Sequence, residues 1–214
     1  MLNYYLLFYK QPTFKEYYMT PLWLRAHASF IDSSHYIVDD QITFNPGSSY
    51  VILKVPVLAA GDLSDETPLT VEITVSNNLS IPQSTDADIR YGLSDGDNFI
   101  GFETVDQLNY YGWNPCYGIE AIPGASLTSF NKINYSFPIG GKMSFPDQFV
   151  FTLKLDRPWG SCFIAHDGGL TKTAEYSKKL KLSQGLTLEV YKHEADEKVG
   201  IKYIKVTIRK TNDY

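Results

Sequence analysis

The chain has 214 residues, of which 43% are hydrophobic and 20% are charged, and its formal net charge is −5. This length supports one sizeable hydrophobic core, and β-sandwiches of this size are ordinarily single domains. No basic stripe is present that could neutralise phosphates, so nucleic acid is excluded as an expected partner. The longest apolar runs are broken by residues such as Lys54 and Pro56 and fall short of the roughly 20 residues that a membrane helix needs.

The first 30 residues show no regular pattern. "MLNYYLLFYKQPTF" has no basic region before its apolar residues and no small-residue cleavage site after them, so it is a poor match to a secretory signal. "TFKEYYMTPLWLRA" has weak helical spacing, and we expect Pro21 to interrupt a helix there. Residues 1–30 are therefore expected to be a less regular segment of a single domain, 1–214.

Strict alternation of apolar and polar residues is the main structural signal of the middle of the chain. "SSYVILKVPVL" reads as a strand in which Pro56 marks an edge position or a bulge. "LTVEITVS" alternates with period two, which predicts a half-buried strand. The residues expected on its core face are Leu69, Val71, Ile73 and Val75.

The last third of the chain repeats this alternation. "FVFTLKLD" predicts a strand, and "GLTLEVYK" and "IKYIKVTIRK" predict a closing hairpin around the polar loop "HEADEKVG". "KTAEYSKKLKLS" is a weak helical candidate. Inward-facing residues are expected at Phe149, Phe151, Leu153, Leu155, Ile204, Val206 and Ile208.

These strands and the short turns between them define the expected fold class. About ten to twelve strands with so many apolar faces need two sheets to bury them. We therefore expect an all-β chain with little helix: a two-sheet antiparallel β-sandwich or jelly roll.

The stretch "DIRYGLSDGDNFIGFE" contains a polar segment, "SDGDN", between two aromatic-bearing strands. Asp-Gly is a strong hairpin signal, so the simplest interpretation is a turn. The alternative is a ligand loop, since Asp95, Asp97 and Asn98 cluster within four residues and hard cations take oxygen ligands. The hairpin is the preferred interpretation, and the three residues remain candidates for binding, with Asp95 and Asp97 as candidate calcium ligands.

The next segment, "DQLNYYGWNPCYGIE", concentrates aromatic and amide side chains among turn residues, which predicts a loop. Aromatic rings pack on the C–H face of a sugar, and amides hydrogen-bond its hydroxyls. An equally open alternative is that the rings cap the end of the sandwich. The candidate binding residues of this aromatic loop are Tyr110, Tyr111, Trp113 and Asn114.

Two cysteines, Cys116 and Cys162, are consistent either with one disulfide or with two buried thiols. The even count and the secreted-like composition favour the bridge, which mass spectrometry of the non-reduced protein would detect. Asn78 and Asn134 each begin an Asn-X-Ser acceptor pattern for N-glycosylation. Together these features favour a secreted or extracellular chain.

The run "DIRYGLSDGDNFIGFE", followed by "FVFTLKLD" and the closing hairpin, resembles the concanavalin A-like lectin/glucanase sandwich in the order and character of its strands. This resemblance implies carbohydrate recognition, with calcium near the sugar site in some members. Because a fold does not fix a function, the resemblance carries no site with it.

Three functions follow in order of preference. The first is a non-catalytic carbohydrate- or glycoprotein-binding, lectin-like module that needs no cofactor, unless calcium binds. The second is a structural or adhesion domain that binds protein or itself. The third is a glycan-active enzyme, for which the strands offer only isolated carboxylates at Glu72, Glu103 and Glu189 where a retaining hydrolase needs a pair about 5 Å apart.

Overall fold

The computed structural model describes most of the strands of the chain and the shorter connections between them. The described residues are 13–31, 36–38, 42–44, 50–78, 89–104, 116–121, 131–134, 148–155, 161–165, 172–175, 178–193 and 199–210. Within them the chain forms one α-helix, α1 (Pro21–His27), one 3-10 helix (Leu182–Gln184) and fifteen strands. The strands are β1 (Thr13–Met19), β2 (Ser29–Ile31), β3 (Tyr36–Val38), β4 (Ile42–Phe44), β5 (Tyr50–Leu58), β6 (Leu69–Asn78), β7 (Ile89–Ser94), β8 (Phe99–Thr104), β9 (Cys116–Ala121), β10 (Asn131–Asn134), β11 (Gln148–Lys154), β12 (Ser161–Ala165), β13 (Lys172–Glu175), β14 (Leu186–His193) and β15 (Val199–Lys210).

The strands form two antiparallel sheets. The eight-stranded sheet has the order β13-β12-β11-β6-β15-β4-β3, with β1 also paired to β15. The seven-stranded sheet has the order β10-β9-β8-β7-β14-β5-β2. The expected all-β sandwich is confirmed. The strand count exceeds the expected one because five strands have only three or four residues, too few to show alternation: β2, β3, β4, β10 and β13.

The hydrophobic core lies between the sheets. The inward residues predicted for β6 are all 0% exposed, as are Ile204, Val206 and Ile208 of β15. On the seven-stranded side, Leu188 of β14 and Leu93 of β7 are buried and directly paired. The period-two pattern therefore identified the core faces of β6 and β15 correctly. In β11 the predicted Leu153 is buried, and the side chains of Phe149 and Phe151 lie outside the described part of the chain.

The N-terminal segment folds differently from the expectation at Pro21. Instead of interrupting a helix, Pro21 begins α1, directly after β1 ends at Met19. The reason is that proline suits the first helical turn, where its missing N–H has no partner to lose. Thr20 caps the helix by accepting a hydrogen bond from the Trp23 amide at 3.2 Å. The Tyr17 hydroxyl donates to the Val57 carbonyl at 2.9 Å and so links β1 to β5 of the other sheet.

The second helical candidate, "KTAEYSKKLKLS", does not form an α-helix in its described part. Lys172–Glu175 is strand β13, and the only helical turn is the 3-10 helix. Leu180 and Leu182 are buried while Lys179 and Lys181 are exposed, which is the alternation of an extended segment. Burial of the two leucines on one side of this segment fits an extended conformation better than the weak helical spacing of the sequence.

Two further expectations concern single positions. Pro56 lies beside a register shift between β5 and β14, at the edge-or-bulge position predicted for it. Cys116 lies in β9 of one sheet and Cys162 in β12 of the other, but both side chains fall outside the described part of the chain, so the bridge stays a prediction. No helix in the described ranges is long and apolar enough to cross a membrane.

Candidate functional site

The "SDGDN" segment is the turn of the β7–β8 hairpin, as predicted. Ser94 pairs with Phe99, and the Asp95 amide donates to the Asn98 carbonyl at 3.2 Å, which closes the loop. Gly96 has a φ of 95°, a conformation that side-chain-bearing residues rarely adopt. The hairpin prediction is therefore confirmed, and the Asp-Gly pair is explained by the turn.

The Asp95 carboxylate holds this turn together. One oxygen, Oδ1, accepts from the amides of Asp97 at 2.8 Å and Asn98 at 2.6 Å. The other, Oδ2, accepts from the Lys181 amide at 2.7 Å, in the segment that precedes β14. Asp95 is 8% exposed. Its charge already has three backbone donors, so its main role here is to fasten the hairpin to the neighbouring segment.

Asp97 and Asn98, the other two candidates, lie at the exposed side of the same turn. The Asp97 carboxylate lies 2.9 Å from Lys181 Nζ, and this hydrogen-bonded ion pair lowers the pKa of Asp97. The Asn98 side-chain amide donates to the Lys179 carbonyl at 3.3 Å. Among the described residues no group of three or more His, Cys, Asp or Glu side chains could hold a metal ion. Calcium binding at Asp95 and Asp97 stays a prediction.

A second group of polar side chains lies on the outer face of the seven-stranded sheet, away from the core. Alternation places it there, since Leu188 and Val190 of β14 and Tyr91 of β7 point into the core. The residues between them in the strands point outwards. We call the following set the outer-face cluster: Lys54, Arg90, Phe99, Glu189 and Tyr191.

Cross-strand contacts connect the members of the outer-face cluster. Glu189 is paired in register with Lys54 of β5, and its Oε1 lies 3.0 Å from Lys54 Nζ. The Tyr191 hydroxyl donates to the other carboxylate oxygen, Oε2. The Tyr191 ring meets Phe99 edge-on, with centroids 5.5 Å apart and planes at 87°. Tyr191 also lies opposite Arg90 of β7.

Two glycines make room for this arrangement. The Phe99 ring lies directly over Gly92, where a Cβ atom would come within 2.4 Å of the ring. Gly101 is paired with Gly92, and a Cβ there would come within 2.1 Å of the Tyr91 carbonyl oxygen. Glycine at both positions allows β7, β8 and the Phe99 ring to approach this closely.

The outer-face cluster is unusually buried for the solvent side of a sheet. Glu189 is 3%, Tyr191 4% and Arg90 8% exposed. Burial, helped by the hydrogen bond to Glu189, raises the pKa of the Tyr191 hydroxyl far above its ordinary value, so it stays a proton donor at physiological pH. Lys54 keeps a third of its side chain exposed. The cluster thus offers fixed charges, a hydroxyl and aromatic rings in one place.

The remaining candidates lie partly outside the described residues. For the aromatic loop only the flanking positions are described: Thr104 and Cys116 are paired, at the end of the sheet next to Arg90 and its partner Glu103. Asn78 and Asn134 end β6 and β10, and their side chains are not among those described. The loop residues themselves fall outside the described ranges: Tyr110, Tyr111, Trp113 and Asn114.

Sequence reasoning identified the turn but missed the outer-face cluster. Glu189 appeared isolated because its charged partner, Lys54, comes from another strand. The available signal was the outward register of "LTLEVYK", in which Glu189 and Tyr191 share one face. Finding Lys54 and Phe99 beside them required the pairing of β14 with β5 and β7, which no local pattern reveals.

No family model matches the sequence, and no curated protein does. Solved structures match it at low identity. The CBM2 module of the evolved Dit of Lactobacillus casei BL23 phage J-1 has a TM-score of 0.60 at 6% identity, over 94% of this chain and 98% of that one. The alginate lyase Aly36B has a TM-score of 0.52 at 11% identity, over 96% and 95%. Peanut lectin has a TM-score of 0.49 at 12% identity, over 93% and 99%. The two matches with TM-scores above 0.5 show the fold alone, which is the architecture of a concanavalin A-like sandwich.

Proposed function

We propose that the protein is a non-catalytic carbohydrate- or glycoprotein-binding module. Its glycan contacts the outer-face cluster at Lys54, the part-exposed member of the cluster, and packs on the aromatic side chains of residues 105–115. The observation that carries the proposal is the cluster itself: Glu189, Lys54 and Tyr191 are held together by direct polar contacts beside the Phe99 ring, on a sheet face that would ordinarily be solvated.

The chemistry of the cluster suits a sugar. A sugar ring has apolar C–H patches that pack on aromatic rings and hydroxyls that take hydrogen bonds from fixed polar groups. Lys54, a third exposed, is the member best placed to donate to a hydroxyl from outside. Glu189 and Tyr191 hold Lys54 in position, so little side-chain entropy is lost when a ligand binds.

The two described ends of the aromatic loop, Thr104 and Cys116, lie at the same end of the sheet as part of the outer-face cluster, which favours one shared binding surface. Residues 105–115 leave β8 after Thr104 and enter β9 at Cys116, at the end of the sheet where Arg90 and Tyr191 lie. A loop anchored there can extend the binding surface beyond the cluster. Trp113 and its neighbours would then supply exposed rings that the buried cluster lacks.

Binding is favoured over hydrolysis. A retaining hydrolase needs two carboxyl groups about 5 Å apart. Glu189 is the one carboxylate of the cluster whose side chain the structure describes, and Lys54 and Tyr191 already engage both of its oxygens. Two structural neighbours, a CBM2 module and an alginate lyase, are consistent with a glycan ligand. The proposal also includes secretion of the chain, glycosylation at Asn78 and Asn134, and a Cys116–Cys162 bridge. Non-reducing mass spectrometry of the secreted chain tests them, since it detects attached glycans and the bridge.

A glycan array, read with and without calcium, tests the proposal. The wild type is expected to bind a defined set of glycans, and Trp113→Ala to lose binding about fivefold or more, since stacking on one ring is worth roughly 1 kcal/mol. Its melting temperature should hardly change. Leu22→Ser, at a residue 75% exposed on α1, is the matched control and should bind normally.

Three results would contradict the proposal. A wild type that binds no glycan removes it altogether. A Trp113→Ala variant that loses roughly 3–5 kcal/mol of stability shows a core residue and not a binding platform. A variant unchanged in both binding and stability moves the site away from the loop, and sensitivity to chelation would then point to Asp95 and Asp97.

A further inference from the structure

The outer face of the eight-stranded sheet carries a pair of tyrosines, Tyr18, which is exposed, and Tyr203, which is half-buried. Tyr18 of β1 lies opposite Lys205 of β15, so Tyr203 is its diagonal neighbour on the same face. Their ring centroids are 5.0 Å apart and their planes differ by 30°. Tyr18 is 56% exposed, and it and Leu22 are the large hydrophobic residues that the structure describes as exposed. We call this pair the tyrosine platform.

Charged and hydroxyl side chains surround the tyrosine platform. Glu16 lies 3.1 Å from Lys205 Nζ and accepts a hydrogen bond from the Thr207 hydroxyl at 3.3 Å. Further along β15, Arg209 lies 3.8 Å from Glu72 of β6. Among the side chains that the structure describes, Arg209 Nε is buried without a hydrogen-bond partner. Buried donors are nearly always paired, so this one calls for an explanation.

This combination does not suit a protein partner. A stable protein interface buries about 800 Å² on each side around an apolar centre. Here a single aromatic pair is followed along β15 by two ion pairs and one threonine. A surface of one or two aromatic rings with polar groups at its rim instead matches the size of one saccharide unit.

We propose that the tyrosine platform is a second glycan-binding site, on the sheet opposite to the outer-face cluster. One sugar ring packs on Tyr18 and Tyr203, and the following units run along β15, where Lys205, Glu16 and Arg209 meet their hydroxyls. The proposal goes beyond the proposed function and uses none of its residues.

The consequence of two opposed sites is cross-linking. The two outer faces point in opposite directions, with the core about 10 Å thick between the sheets. One short glycan cannot occupy both sites, so one protein molecule would bind two separate glycans and link them. On a surface dense with glycans, two sites also raise the overall affinity through effective concentration.

A nuclear magnetic resonance titration of the full chain, labelled on its tyrosine and tryptophan rings, tests the second site separately from the first. The probes are cello-, chito-, manno- and alginate oligosaccharides. We expect the Tyr18 and Tyr203 ring signals to shift with at least one probe. Tyr18→Ala and Tyr203→Ala should each weaken that site about tenfold and leave the response of the Trp113 indole unchanged. Leu22→Ser is the control.

The outcomes separate the two proposals. If the Trp113 signal shifts and the tyrosine signals do not, the second site is wrong and the first stands. If only the tyrosines respond, the second site stands alone, and if neither responds, both fail. In a precipitation assay with the matching polysaccharide, Tyr18→Ala should abolish precipitation while single-site binding remains. A wild-type dimer that Tyr18→Ala converts to a monomer would instead show a contact between copies and overturn the glycan site.

Discussion

The outer faces of the two sheets carry the same three chemical groups in very different surroundings. On the seven-stranded sheet, Glu189 contacts Lys54 and the Tyr191 hydroxyl. On the eight-stranded sheet, Glu16 contacts Lys205 and the Thr207 hydroxyl. The ion pairs have nearly equal lengths, 3.0 and 3.1 Å, yet the Glu189 side chain is 4% exposed and that of Glu16 is 48% exposed.

Burial, and not the list of contacts, therefore distinguishes the two faces. Water screens an exposed ion pair and replaces a lost partner, so such a pair contributes little to stability. A buried carboxylate that loses its partner remains desolvated and uncompensated. The outer-face cluster is accordingly rigid and preformed, whereas the Glu16–Lys205 pair on the eight-stranded face is open to water and adjusts at small cost.

The largest effect is expected from filling the space between β7 and β8. In Gly101→Val, the new Cβ would come within 2.1 Å of the Tyr91 carbonyl oxygen, and backbone cannot yield without breaking the strand pairing. We expect a loss of roughly 3 kcal/mol or more in the free energy of unfolding, measured by chemical denaturation.

Gly61→Ala is the matched control for this variant. A Cβ at Gly61 meets nothing within 4 Å, so the only destabilising effect is backbone strain at its φ of 81°. This strain should lower the free energy of unfolding by about 1 kcal/mol. Equal losses of unfolding free energy in Gly101→Val and Gly61→Ala would show that β7 and β8 are not tightly packed at Gly101.

The second effect tests the two carboxylates directly. Glu189→Ala removes the carboxylate that accepts from both Lys54 and Tyr191. We expect the free energy of unfolding to fall by about 2 kcal/mol, which is below the range for fully buried pairs because Lys54 is a third exposed. Glu16→Ala should lower the free energy of unfolding far less than Glu189→Ala, because water replaces the lost partner. Glu189→Gln, which keeps an acceptor for Tyr191, should lie between them. If denaturation gives Glu189→Ala and Glu16→Ala the same stability, burial does not separate the faces.

The sequence alone predicted what depends on neighbours along the chain. The alternation in "LTVEITVS" identified the core residues of β6, and Asp-Gly identified the β7–β8 turn. Both follow from the local backbone, since side chains alternate in a strand and glycine permits a positive φ. The alternation did not predict how exposed the outward-facing residues are. Thr74 and Ser76, on the outer side of β6, are only 6% and 8% exposed because neighbouring strands and side chains cover them.

What depends on strand pairing was not predictable in this way. Lys54 and Glu189 meet only because β14 lies beside β5, and Tyr18 meets Tyr203 only because β1 adds to the edge of β15. The role of Asp95 was likewise hidden, since the donor that uses its second oxygen is the Lys181 amide, far along the chain. Long-range register is set by the whole core, and no local window contains it.

The smallest effect is expected from titration of the exposed ion pairs. Lys205 lowers the pKa of Glu16 below its ordinary 4.5, and Lys181 lowers that of Asp97 below 3.8. A carboxyl with a lower pKa in the folded chain stabilises it above its ordinary pKa, and this contribution disappears as the pH falls through the folded value. The melting temperature should therefore decline gradually below about pH 4.5, measured from about pH 6 to about pH 2. Glu16→Gln and Asp97→Asn should each make the decline shallower, and added salt should do the same by screening. An unchanged slope in both variants would mean that these two exposed ion pairs contribute nothing to the stability of the folded chain.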